Sequence, residues 1–574
     1  MIGIPDFPPA FALIFLGLLL PVLPGLIRSG LTVLVPLLLF GLLLQIDPDT
    51  RITTSFAGFE LILFQLGKTN FVFGVIFLLI SAISSLYAWH VRDRGQQSAA
   101  IFYAAGALGV TFAGDFFTLL IFWELMAVAS AWLVFARRTP ESTRAGFRYL
   151  IVHFFGGSVL FGGILLFYGM TGSLQLTALS PEQGLAAWLI LIGVVINVAL
   201  PPFHPWLPDA YPQATVTGAI FMSALTTKSA VYVLMVLFPG WPILIYAGVI
   251  MALYGVVYAV LANDIRQILA YHIISQVGYM VTGVGIGTTL SLNGTAAHAY
   301  SHILYKALLF MGAGAVIQAT GKSKLTELGG LARKMRTVLI LFMIGAFSIS
   351  GFPLFNGFIS KSIIISSAGK AHLEPAMLLL LLASVGTFLH TGLKIPVFTF
   401  WGEQRNLEVR KLPWNMYAAM GVVAFLCTFY GIFPHFLYGI LPYEIKYHPY
   451  TAYHLIESIQ LLTFTFIGFW VLRGKLAGEP YIALDTDWIY RRSANPALRY
   501  LVDPIIAVFD FGVKGRSALV GVVSQRFRNP LDWFRLRSRG CASYDPDRER
   551  SPLGNLVSAV LFLAVLVSFL AMVF

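Results

Sequence analysis

Apolar stretches of about twenty residues recur along almost the whole chain, and no other feature constrains the fold as much. Hydrocarbon offers no hydrogen-bond partner to a peptide group, so stretches of this length span as α-helices that satisfy their own backbone. Composition agrees, with 58% of the 574 residues hydrophobic and 11% charged. The sequence therefore predicts an all-α polytopic membrane protein with about sixteen transmembrane helices. They fall near 8–27, 29–45, 69–89, 99–113, 116–136, 147–170, 186–203, 217–238, 241–262, 265–287, 296–319, 335–366, 375–400, 414–436, 457–473 and 553–574. The opening MIGIPDFPPAFALIFLG has no basic stretch ahead of its apolar run, so a retained first helix is expected rather than a cleaved signal peptide.

The formal charge of +12 would suggest nucleic acid in a soluble protein, but in a membrane protein it reflects basic cytoplasmic loops. With the amino terminus outside, HVRDRG, ARRTPESTRAGFR, GKSKLTELGGLARKMR and GEQRNLEVRKLP all fall on the inner face, while QIDPDT, LSPEQG and SLNGT fall outside. No nucleic-acid partner is expected. Two cysteines, Cys427 and Cys541, supply neither a disulfide framework nor a metal cluster. The stretch GAGAVIQATGKS ends like a phosphate-binding loop, yet the Walker spacing would put its first glycine at Val316, inside a membrane span. With no dinucleotide fingerprint and no CxxC pair, no cofactor is expected, and energy has to come from an ion gradient or from partner subunits.

Two spans carry breaks. NVALPPFHPWLPDAY (197–211) interrupts the seventh and SISGFPLFNGFISK (348–361) the twelfth. Proline removes backbone donors there and glycine permits the turn. A broken helix has to face protein or water, and paired breaks in corresponding positions point to a transport site. The breaks lie five spans apart, as expected if spans 4–8 and 9–13 are two five-helix repeats of inverted topology. The alternative is two ordinary proline kinks. The resulting organisation is N-terminal helices over 1–95, repeats over 96–238 and 239–402, additional helices over 403–473, a basic segment over 474–552 and a last span over 553–574.

Ionisable residues inside the spans form a set. Glu124 stands alone near the middle of FFTLLIFWELMAVASAWLVFA, Lys228 lies mid-span, Lys361 follows the second break, and Lys394 lies in SVGTFLHTGLKIPVFTFWGE. In AHAYSHILYKALLF, residues His298, His302 and Lys306 follow at i, i+4 and i+8, which stacks them on one helical face. A file of imidazoles and amines suits a proton relay, because neutral histidine both accepts and donates and a lysine withdrawn from water gives up its proton more readily. Singly, each also has a structural explanation, such as snorkelling or a packed, hydrogen-bonded imidazole. Distributed over both halves, they favour the relay.

The combination of FFTLLIFWELM, PPFHPWLPDAYPQATVTG, DIRQILAYHIISQVGYM, HAYSHILYKALLFMGAG and LTELGGL…GAFSISGFPLFNGFISK resembles the antiporter-like proton-translocating subunits of respiratory complex I, membrane-bound hydrogenases and Mrp-type antiporters. Within that family it is most similar to chains of the Mrp-type monovalent cation/proton antiporters. The resemblance spans roughly residues 60–400 and implies a fourteen-helix core with a midplane chain of protonatable groups. Those roles fall on Glu124, Lys228 and Lys361, with His298, His302 and Lys306 as the central connection. The same motifs bring His204 and His272 into the candidate set. One position departs: counting back nine residues from Trp206, the place of the family's seventh-helix lysine is held by Asn197. Asparagine can hydrogen-bond a carboxyl group or hold a water, but it supplies no charge to Glu124.

The tail departs too. LDTDWIYRRSANPALRYLVDPIIAVFDFGVKGRSALVGVVSQRFRNPLDWFRLRSRG interleaves basic and aromatic residues, which suits a segment lying along the cytoplasmic interface and bracing neighbouring subunits. Pro504 and Pro530 argue against one unbroken rod, and a cytoplasmic linker is the alternative. The expectation is thus a proton-translocating subunit of an Mrp-type cation/proton antiporter in a bacterial cytoplasmic membrane, with other subunits, protons and sodium as partners. A pumping subunit of a complex I-like or hydrogenase assembly and a scaffold with a degenerate relay are the alternatives.

Overall fold

The computed structural model describes residues 8–56, 58–477, 479, 484–488 and isolated positions beyond 488. Most of the segment expected at the interface over 484–540, and most of the last span expected over 553–574, lie outside the described residues. Among the described residues, twelve helices are long and apolar enough to cross a membrane. The chain is a multi-pass helical membrane protein. The expected list of about sixteen spans is not reproduced one for one. The stretch read as a single span over 335–366 is two half-helices, Arg336–Ser350 and Asn356–Lys370. A two-stranded antiparallel hairpin, Arg51–Phe56 with Phe59–Gln65, fills what was read as a loop.

The centre is built from Gly218–Leu237, Ile265–Ile286 and Thr289–Thr320, whose side chains are buried nearly throughout. Gly25–Leu43 and Ala452–Leu476 are instead mostly exposed on the surface of the chain. Close packing at the centre depends on glycine. A Cβ on Gly278 would stand 2.5 Å from the Gly248 carbonyl oxygen and 2.6 Å from the Ala252 nitrogen, so the helices Pro242–Leu261 and Ile265–Ile286 meet backbone to backbone.

Local chemistry fixes the ends of the helices that matter most. Asp115 caps Phe116–Phe135 by accepting from the Thr118 amide at 2.8 Å, and its other oxygen accepts from the hairpin amide of Ile62 at 2.6 Å. One carboxylate therefore sets both the helix of Glu124 and the strand beside it. Asp264 caps Ile265–Ile286 in the same way through the amides of Arg266 and Gln267.

Both expected breaks are present. Gly184–Val198 ends where Ala199 turns left-handed at φ 64°, and the chain resumes at the short helix Trp206–Ala210. The indole of Trp206 donates to the freed carbonyl of Ile196 at 3.0 Å. Arg336–Ser350 ends at left-handed Gly351 (φ 78°), and helix resumes at Asn356. A third break was not foreseen: Leu225 (φ −99°, ψ −71°) divides Gly218–Ala224 from Thr226–Leu237. Its loose ends are satisfied by side chains, since the Tyr103 hydroxyl accepts from the Thr226 amide at 3.0 Å. Finally, the span over Glu374–Phe400 widens to π-helix at Phe388–Lys394.

Candidate functional site

Each buried lysine of the candidate set outside the central helix lies against the carbonyl end of a broken or terminating helix. Lys228 donates to the Ser223 carbonyl, just before the Leu225 break, and to the Thr227 hydroxyl at 3.1 Å. Lys361 donates to the Ile349 carbonyl at 3.0 Å, at the end of the first half-helix, and to Ser384 at 3.3 Å. Its ammonium also sits 5.5 Å from the centre of the Tyr279 ring. Lys394 reaches the carbonyls of Val260 (2.5 Å) and Ala262 (3.1 Å), where Pro242–Leu261 ends. The carbonyl end of a helix carries partial negative charge, so all three ammonium groups are held by dipoles, with no carboxylate in salt-bridge contact among the described residues.

Thr289–Thr320 carries His298, His302 and Lys306, all fully buried. The two imidazole rings are 6.3 Å apart, and neither nitrogen of His302 has a hydrogen-bond partner among the described residues. His298 pairs through Nδ1 with Ser360, the residue before Lys361, at 3.1 Å. His302 lies within reach of the charges of Lys228 and Lys306. Lys306 crosses to the neighbouring helix and meets His272 Nδ1 at 3.1 Å. On its other side His272 pairs with Thr387 at 3.1 Å and stands edge-on to His390, ring centres 4.8 Å apart. His390 and Lys394 stand four residues apart on the π-helical segment, so buried lysines and histidines are contributed by five helices.

The first half is different. Glu124 is half-buried on Phe116–Phe135, and its carboxyl group rests on Gly157 of the helix Pro140–Thr171, where any Cβ would overlap it. Among the described residues no basic side chain reaches Glu124 within salt-bridge distance. Asn197 is fully buried one residue before its helix ends, and both polar atoms of its amide are without a hydrogen-bond partner among the described residues. The structure thus gathers eight buried basic groups, Lys228, His272, His298, His302, Lys306, Lys361, His390 and Lys394, but among the described residues it brings neither Glu124 nor Asn197 into salt-bridge or hydrogen-bond contact with them.

His204 stands apart from the file, in the first break. Its Nε2 pairs with Asp485 at 3.0 Å, and the same carboxylate accepts from the hydroxyls of Tyr254 (2.5 Å) and Tyr271 (2.6 Å). Burial works against the charge of Asp485, but the hydrogen bond and charge of His204 and the two hydroxyls outweigh it and hold the carboxyl below its ordinary range. Sequence reading missed Asp485 because 281 positions separate it from His204. It also missed His390, which stands four residues before Lys394 and could have been found by the i, i+4 spacing already applied to His298 and His302.

Fold and site together define a polytopic helical membrane protein built around discontinuous helices, with ionisable groups buried at the breaks. The family described as NADH:quinone oxidoreductase/Mrp antiporter, TM, matches residues 113–389, the segment that carries nearly all of these groups. The chain belongs to that family. It is 34% identical over 329 residues to a Na(+)/H(+) antiporter subunit of Alkalihalophilus pseudofirmus, a match over 54% of this chain and 66% of that protein, just under two thirds of its length. An uncharacterised protein of Methanocaldococcus jannaschii is 31% identical over 358 residues, 58% of this chain and 73% of that protein. The fold is that of a chain in the Mrp complex from Dietzia sp. DQ12-45-1b (TM-score 0.68, 22% identity), covering 81% of this chain and 98% of that one.

Proposed function

We propose that this chain is an ion-translocating subunit of a multi-subunit cation/proton antiporter of the Mrp type, moving protons in exchange for a monovalent cation such as sodium. The observation that carries the reading is the buried file of Lys228, His302, Lys306, His272, His390 and Lys394, joined to Lys361 through His298 and Ser360. Each imidazole in the file has one nitrogen able to accept while the other donates, and each amine is seated on a carbonyl or an imidazole; the gaps around His302, whose nitrogens meet no hydrogen-bond partner among the described residues, are bridged in this reading by water. Family membership and the likeness to a sodium/proton antiporter chain support the same reading.

In this reading the two breaks belong to two inverted five-helix repeats, each supplying a half-channel, and the file joins them at the midplane. Glu124 and Asn197 form the first half-channel, with the amide holding a water where the family's lysine would stand. The segregation of basic loops supports an amino terminus outside a bacterial cell membrane. Purification from the native membrane, identification of the co-purifying subunits, and cation-driven proton movement in vesicles carrying Lys228→Ala or Lys361→Ala test the proposal together. Transport at the normal rate in both variants would leave a scaffold, and iron–sulfur partners would place the chain in a redox-driven pump.

A further inference from the structure

Lys361 is not sealed in. A narrow cleft of about 40 Å³ reaches it, lined by Ser350, Lys361, Ser384, His454, Glu457 and Ser458 among others. A space of that size accommodates water, which needs only about 10–15 Å³ of this measure together with polar partners. The partners are there: Ser384 already touches the lysine at 3.3 Å, and hydroxyls line the walls. The far wall is the helix Ala452–Leu476, which is otherwise mostly exposed and lies beyond the family-matched residues 113–389.

A carboxylate on a largely exposed apolar helix is costly unless it has a use. Glu457 stands in the second turn of that helix, half-buried, and turns into the cleft. His454 lies one turn earlier on the same face and continues to the Tyr447 hydroxyl at 3.2 Å, which in turn meets Ser366 at 3.1 Å. The ionisable groups on this route are Lys361, Glu457, His454 and Tyr447, with Tyr453 hydrogen-bonded to the Glu457 side chain and the charge of Lys370 acting on His454. They run from the second break towards the end of the bundle where Ala452–Leu476 begins.

We propose that Glu457 is a proton-exchange residue, carrying protons between Lys361 and the membrane surface through the water in this cleft. The inference rests on the relay reading above and adds a terminus to it. In the outward step an N–H bond of the Lys361 ammonium breaks and leaves a neutral amine, while the cleft water passes a proton on. An O–H bond then forms on the Glu457 carboxylate, and it breaks when the proton leaves to bulk water. Charge is conserved at each stage, and no other reactant is needed.

The test uses the assembled complex in inverted membrane vesicles, with proton movement followed by a pH-sensitive dye and assembly checked by co-purification. Glu457→Gln keeps the shape and hydrogen bonding but cannot exchange a proton in this range. It should lower the initial rate by about a hundredfold, the low end for loss of a positioned acid–base group. Glu457→Asp should retain most of the rate, a rescue that a purely structural role does not require. If Glu457→Gln disrupts assembly, Ser458→Leu, which fills the cleft and leaves the carboxylate in place, should show the same loss. Normal rates in assembled Glu457→Gln or Ser458→Leu, with Lys361→Ala inactive, overturn this inference alone. Normal rates in Lys361→Ala as well overturn the relay and this terminus with it.

Discussion

The Lys306 ammonium and Nδ1 of His272 stand 3.1 Å apart, fully buried, on neighbouring helices at the centre of the bundle. Each is the hydrogen-bond partner of the other, so the contact is lost when either side chain is truncated. Removing either leaves the other buried without its partner, at a cost of about 1–3 kcal/mol and more where the remaining group is charged. Lys306→Met and His272→Leu should therefore each destabilise the protein, and the double substitution should recover part of the loss. A coupling of about 0.5–3 kcal/mol is expected from unfolding of the detergent-solubilised variants. Additive losses would mean the pair makes no contact in the folded chain.

Where the sequence was readable, the reason was backbone chemistry. Clustered proline and glycine at 201, 202 and 205 and at 351, 353 and 357 announce breaks, and both breaks formed there. The break at Leu225 lies in MSALTTKS, which has neither residue; it persists because Tyr103 and Lys228 satisfy the freed groups from outside the local backbone pattern. Helical spacing placed His298, His302 and Lys306 on one helix, but not the crossing of Lys306 to His272, which depends on helix packing. The hairpin over residues 51–65 was masked by its apolar content, and Asp485 by its distance along the chain.

Gly157 is the seat of Glu124, and the fit leaves no room for a methyl group. Gly157→Ala should push the carboxyl group aside, cost about 1–3 kcal/mol by overpacking, and reduce transport. Gly156→Ala, whose Cβ would meet Ile196 at 3.1 Å, should be milder. Adding Glu124→Ala to Gly157→Ala should restore thermal stability without restoring transport. If the double variant is no more stable than Gly157→Ala, the clash lies elsewhere.

Asp485 offers a prediction outside the spans. Its folded carboxyl titrates below its ordinary value of about 3.9. Its contribution is therefore complete above that value and is lost as pH falls through it towards the folded value. The gap in thermal midpoint between wild type and Asp485→Asn should stay level from pH 8 down to about 4 and narrow below it. A gap that had already closed at pH 6 would mean that the Asp485 carboxyl is not held below its ordinary range.

Asn197 presents the sharpest contrast between stability and function. Its amide is fully buried, and neither polar atom has a hydrogen-bond partner among the described residues. Leaving such a group unsatisfied costs about 1–3 kcal/mol, which a chain retains only where the group has a use or holds a water. Leucine has nearly the same shape and no polar atoms. If the amide is unsatisfied, Asn197→Leu should raise the unfolding temperature of the purified complex. If the amide also carries the first half-channel past Glu124, the same substitution should lower proton transport, and Asn197→Asp, which restores polarity, should be less damaging than leucine. Higher stability with unchanged transport would take Asn197 off the path and leave the first half as a frame for the second. Lower stability with lost transport would show that the amide is already partnered by an ordered water, which leucine would displace.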